Sequence, residues 1–145
     1  MAGLIGTNTV CQIAFVVKDM EVTKRKFAEF FGVEPPEHFS TAKSPDNIID
    51  GKPAPVVSAL LAFFNVGPGL AIELIQPNGE SSVWQDVLDE KGEGFHHIAF
   101  FVKDMENKIT VCENAGMKCI QKGGGYAYLD ANADLKCLIE LLEQS

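Results

Sequence analysis

Four polar side chains stand where the surrounding sequence is apolar. Glu73 is the one polar residue in LAIELI (70–75), Glu140 is the one charged residue in CLIELL (137–142), and Gln12 and His97 open the runs QIAFVV and HIAFFV. An ionised carboxylate in such a strand is costly unless it is paired or metal-bound, and even an unpaired neutral polar group costs roughly 2–7 kcal/mol. An amide, an imidazole and two carboxylates together supply three oxygens and one nitrogen. That is a hard-to-borderline donor set suited to Mg²⁺, Mn²⁺, Co²⁺, Ni²⁺ or Zn²⁺, with positions left open for substrate. Each residue alone has a plainer reading, His97 as a hydrogen-bonded core histidine and the glutamates as exposed residues of edge strands. The joint reading gains because all four fall at matched sites of a repeat.

The repeat is explicit. Gln12 to Glu21 aligns with His97 to Glu106 at an offset of 85, with eight of ten residues identical. Glu73 aligns with Glu140 at an offset of 67, so the first copy carries 18 more residues between its two motifs. The surplus falls in GVEPPEHFSTAKSPDNIIDGKPAPV, which reads as an extended loop with one short strand near 37–42 and has the length of a functional lid.

Each half reads as strand, helix, then two or three strands. In the first these are 10–17, 19–31, 37–42, 56–66 and 69–76. In the second they are 95–103, 104–115, 117–122, 125–130 and 135–142. Asp19 and Asp104 are placed as N-caps and Gly32 and Gly116 as C′ residues. Phe27, Phe30 and Phe31 mark the apolar side of the first helix, and Met105, Ile109 and Cys112 that of the second. Ser81 or Ser82 caps a bridging helix within 80–92. The expectation is an α+β fold of two tandem βαβββ modules in a single domain over 1–145, module one at 8–78 and module two at 94–145. Side chains alternate along a strand, so Gln12, Ala14 and Val16 share one face, as do His97, Ala99 and Phe101. The opposite faces should meet the helices. His96 is then expected to point away from His97, as a structural or supporting residue. Trp84 reads as a packing anchor, and His38 is given no role.

A formal net charge of −8, with Arg25 the lone arginine, argues against nucleic acid as a partner. No run of 18 apolar residues suggests a membrane span, and the start lacks a secretion signal. Cys11, Cys112, Cys119 and Cys137 show no C-x-x-C spacing and read as reduced residues of a cytoplasmic protein.

In QIAFVVKDME, IELIQP, EKGEGFHHIAFFVKDME and LIELLE, the chain resembles the vicinal oxygen chelate superfamily, the glyoxalase and bleomycin-resistance fold, over nearly its whole length. The resemblance implies two modules paired into a cup of strands with helices outside. One divalent metal would be held by the first and last strands of each module, here Gln12, Glu73, His97 and Glu140. Two activities compete. The stretch from Ser81 to Val102 is similar to methylmalonyl-CoA epimerases, whose first ligand is usually His and which carry an HPKSTGG-like loop where this chain has LDANADLKC. The Gln, Glu, His, Glu set is similar to one type of lactoylglutathione lyase (glyoxalase I). Both reactions remove a proton beside a carbonyl or thioester through a metal-stabilised enediolate. Glu140, with Glu73 as second candidate, is the expected general base and acid. Rival readings are a metal-free sequestering protein of the bleomycin-resistance type and an iron dioxygenase; the latter needs two histidines and a carboxylate. A homodimer is the expected assembly, with a small carbonyl or thioester substrate.

Overall fold

A computed structural model describes residues 3–144. The matched phrase forms β1 (Gln12–Val16) and α1 (Met20–Phe31) in the first half, and β7 (Gly94–Val102) and α3 (Met105–Asn114) in the second. The caps are those the sequence places. Asp19 and Asp104 accept from the backbone N–H of Val22 and Asn107 at 3.2 and 3.4 Å, satisfying amides that a helix start leaves free. Gly32 closes α1 in the left-handed region (φ 72°), a conformation that only glycine adopts cheaply. Ser82, rather than Ser81, caps the bridging helix α2 (Val83–Lys91).

The outer faces pack as two separate cores. Phe15, Phe27, Phe31 and Phe64 stack at centroid distances of 5.7–5.9 Å under α1. Met105, Ile109 and Cys112 of α3 pack on Ile139 and Leu141. One expectation fails here. Phe30 is 84% exposed, and the buried residues of α1 are Met20, Lys24 and Ala28. Phe30 lies off the stripe defined by those spacings. Lys24 tolerates burial because its Nζ reaches His38 Nδ1 at 2.9 Å and Glu21 at 3.3 Å. His38, given no role from sequence, thus anchors the loop after α1.

The remaining elements are β2 (Phe39–Ser40), β3 (Ile48–Ile49), β4 (Lys52–Pro53), β5 (Ala59–Gly67), β6 (Leu70–Pro77), β8 (Lys118–Gly123), β9 (Tyr126–Asp130), α4 (Asn132–Leu135) and β10 (Leu138–Glu143). The ten strands among the described residues form one mixed sheet in the order β2-β5-β6-β1-β7-β10-β9-β8-β3-β4. The last strand therefore starts at Leu138 rather than at 135, because Asn132–Leu135 winds into a helical turn. The 34–55 segment is also more ordered than a loop with one strand. It leaves the β5 edge at Ser40, and from Ile48 it pairs with Lys122 and Gln121 of β8, near the opposite edge.

That pairing dictates curvature. Eight strand spacings separate β2 from β3, about 38 Å in a flat sheet. The eight residue steps from Ser40 to Ile48 reach at most about 29 Å. The sheet must curl so that its edges approach, and residues 41–47 then strap its concave side.

The strap is latched by Asn47, which is buried. Tyr126 Oη donates to Asn47 Oδ1 at 3.0 Å, and Gln121 Nε2 donates to Tyr126 Oη at 3.1 Å. Gly123 makes room for this latch, since a Cβ there would sit 2.6 Å from Asn47 Oδ1 and collide with the Tyr126 ring. Gly123→Ala should therefore lower stability by roughly 1–3 kcal/mol through forced displacement. Thermal unfolding checks this, and an unchanged midpoint would mean that the latch is dispensable.

Candidate metal centre

The site is assembled by register. β1 runs parallel to β6, with Ala14 opposite Glu73, and antiparallel to β7, with Ala14 opposite His97. One row across the sheet is therefore Glu73, Ala14, His97 and Leu138; the adjacent row is Glu140, Ala99, Gln12 and Ala71. Each row maps onto the other when the modules are exchanged, so a pseudo-twofold axis passes between Ala14 and Ala99. Both alanines are fully buried. Their small side chains leave room above the sheet for the four polar groups. All four come from one chain.

Glu73, His97 and Glu140 present ligand atoms within 4.8 Å of one another. His97 Nε2 lies 3.0 Å from Glu140 Oε1 and 3.5 Å from Glu73 Oε1. These are short approaches, yet no hydrogen bond forms. The buried side-chain atoms without a partner among the described residues are Gln12 Oε1, Glu73 Oε1, His97 Nε2 and Glu140 Oε1. Those are one donor atom from each of the four residues that the repeat singles out. His97 is 0% exposed and each glutamate 5%, so water does not offset the deficit. Buried polar atoms are nearly always paired; the orphans of Glu73, His97 and Glu140 converge, Gln12 lies in the adjacent row beside them, and such a donor set fits a cation with ligand distances near 2.0–2.2 Å.

The electrostatics agree. Burial pushes the Glu140 carboxyl up to about 8, tempered by a hydrogen bond from Tyr128. Burial, then the neighbouring Glu140, holds Glu73 well above the usual carboxylate range. Burial drops His97 to about 3, leaving it a neutral imidazole, the form that binds metals.

The concave space beside the cluster is a cavity of about 420 Å³ lined by Gln12, Glu73 and Glu140 below, Phe63, Trp84, Tyr126 and Tyr128 on the walls, and Thr41, Ser44, Asp46 and Asn47 from the strap. Trp84 both anchors and lines: its Nε1 donates to Tyr128 Oη at 2.9 Å while its ring stacks on Tyr126.

One expectation is overturned. His96 does not point away from His97; its Nδ1 lies 2.8 Å from His97 Nδ1. The cause is a bulge: Ala14 pairs with His97 but Phe15 pairs with Phe95, so His96 is the extra residue and escapes strict alternation. Tyr128 and the Asn47 latch were not singled out by sequence. For Tyr128 a signal existed, since YAYLD places two tyrosines on one strand face.

Comparison with known proteins bears on the same arrangement. The family model of the Glyoxalase/Bleomycin resistance protein/Dioxygenase superfamily matches residues 11–133. The chain belongs to this superfamily. Its members commonly use divalent metals, and the buried Glu73, His97, Glu140 cluster could bind one. No curated protein matches the chain in sequence. Among solved structures it is similar to a hypothetical protein from Bacillus halodurans, with 22% identity, a TM-score of 0.66 and 96% of each chain covered. It is also similar to methylmalonyl-CoA epimerase from Mycobacterium tuberculosis, with 20% identity, a TM-score of 0.65, and 100% of this chain and 92% of that one covered. A Streptomyces coelicolor methylmalonyl-CoA epimerase variant in complex with 2-nitronate-propionyl-CoA gives 20% identity, a TM-score of 0.65, and 94% and 96% coverage. At these identities the likeness establishes the superfamily's cup-shaped fold. No helix among the described residues is long and apolar enough to cross a membrane.

Proposed function

We propose that this chain is a divalent-metal-dependent isomerase that moves a proton on the carbon beside a thioester carbonyl, in the manner of the methylmalonyl-CoA epimerases. The observation carrying this reading is the set of four partnerless buried donor atoms on Gln12, Glu73, His97 and Glu140. A cation held by those residues supplies Lewis acidity towards the carbonyl oxygen. Glu140 takes the proton; the Tyr128 hydroxyl, held by Trp84, orients it. Glu73, its pseudo-twofold mate in the row containing His97, delivers a proton of its own from the other side, as inversion at carbon requires, and Glu140 keeps the proton it took until it exchanges with solvent. The strap and the aromatic walls exclude water from the carbanionic stage.

A second reading, a lactoylglutathione lyase, is favoured by the amide at position 12. Against it, neither arginine nor lysine among the described residues lines the cavity to clamp glutathione carboxylates.

One experiment separates the two. Protein stripped of metal and reloaded with Mn²⁺, Co²⁺, Ni²⁺ or Zn²⁺ is incubated in D₂O with methylmalonyl-CoA, and α-proton exchange is followed by NMR. A parallel arm uses the hemithioacetal of methylglyoxal and glutathione. Metal-dependent exchange is expected in the first arm. Turnover confined to the second arm would replace the epimerase reading with the lyase, and inactivity in both would remove both.

A further inference from the structure

The two adjacent imidazoles form a directed hydrogen-bond chain. His96 Nε2 lies 3.1 Å from the carbonyl oxygen of Val83, which can only accept. The proton in that bond therefore belongs to His96 Nε2. His96 is 3% exposed, and no carboxylate among the described residues contacts its ring to support a second proton, so its Nδ1 is a bare acceptor. His97 Nδ1 faces that acceptor at 2.8 Å and must be the donor. A neutral imidazole carries one N–H. With it spent on His96, His97 Nε2 presents a lone pair to Glu73 and Glu140. Nε2 then has no proton to donate to either glutamate, although Glu140 Oε1 lies only 3.0 Å away.

The far end of the chain is fixed in turn. Val83 opens α2, and its N–H donates to Gln121 Oε1 at 2.9 Å. Gln121 Nε2 donates to Tyr126 Oη, and Tyr126 Oη donates to Asn47 Oδ1 of the strap. Buried polar groups thus run without a break from the strap over the cavity, through the first turn of α2 and the bulge, to His97.

We propose that His96 is a positioning residue that holds His97 in the tautomer with Nδ1 protonated, keeping Nε2 free as a metal ligand. The inference rests on reading the cluster as a metal centre, but the tautomer can be measured without metal. Partners behind a ligating imidazole typically govern metal affinity by about 10–100-fold.

The test uses full-length protein with His96→Leu and His96→Asn. Leucine removes the acceptor; the asparagine amide oxygen restores one close to the position of Nδ1. Long-range ¹H–¹⁵N NMR of the metal-free proteins reports the His97 tautomer, and Co²⁺ titration reports affinity. Wild type and His96→Asn should show a protonated Nδ1, while His96→Leu should shift towards a protonated Nε2. Co²⁺ affinity should fall about 10–100-fold in His96→Leu and stay within about threefold of wild type in His96→Asn. A wild-type His97 protonated at Nε2, or a His96→Leu protein that keeps both tautomer and affinity, would overturn the proposal. Should wild type bind no Co²⁺ while the tautomer pattern holds, the metal-centre reading falls and the role of His96 in setting the tautomer stands. Thermal unfolding of both variants identifies loss of fold, and the asparagine variant then decides.

Discussion

Glu140→Gln should abolish proton transfer while leaving a folded, and in the metal-free state a more stable, protein. General acid–base catalysis by a positioned side chain contributes about 10²–10⁴-fold, and Glu140 is also a proposed ligand, so the activity loss should reach at least the upper part of that range. The stability gain has a separate origin. Glu140 is buried beside Glu73, and its carboxyl holds a proton up to about 8 because the charged form is poorly solvated there. A neutral amide of nearly equal volume removes the cost of ionising the group. At pH 8 metal-free Glu140→Gln should therefore unfold at a higher temperature than metal-free wild type, and Co²⁺ should protect it less. Activity in the α-proton exchange assay and unfolding midpoints with and without metal check both halves. Retention of full activity with metal bound would remove Glu140 from the mechanism.

The second large effect is the response of the metal-free protein to pH. Burial lowers His96 and His97 from an ordinary value of 6.5 to about 3. Between those limits the unfolded chain binds more protons, so the pair makes stability rise with pH. Glu140 is raised from 4.5 to about 8, and Glu73 is shifted in the same direction. Above pH 4.5 the folded chain holds protons that the unfolded chain has lost, so the glutamates make stability fall. The two contributions oppose each other between 4.5 and 6.5, and above 6.5 only the glutamates remain. Metal-free protein should thus be most stable near pH 5–6 and lose on the order of 10 °C in unfolding midpoint by pH 8. Metal reverses the trend. Binding displaces the carboxyl protons, so affinity and the protection it confers grow with pH. Calorimetric scans at pH 5, 6, 7 and 8, with chelator and with Co²⁺, provide the test. A metal-free midpoint that rises steadily to pH 8 would mean that the two glutamates ionise without strain.

The sequence by itself determined the modules and the facing of the four polar residues. Side-chain alternation is a local property of extended backbone, and a repeated phrase carries its local geometry wherever it occurs. Gln12 and Ala14 therefore share a face, as do His97 and Ala99, whatever lies beside them. The helix caps were legible for the same reason, since Asp19 and Asp104 act within three residues.

What the tertiary structure alone decided is everything that depends on which strands become neighbours. The pairing of β1 with β7 brings the two halves of the donor set onto one axis, and no local pattern encodes that partnership. The His96 bulge exists because two strands of unequal local length are held in register, so it breaks the alternation that the sequence predicts. The strap crosses to β8 and closes the cup through a pairing between residues far apart in the chain. Phe30 is exposed for a like reason: a helix buries the stripe its neighbours can reach, and a sheet bent into a cup reaches only part of the apolar side that the sequence displays.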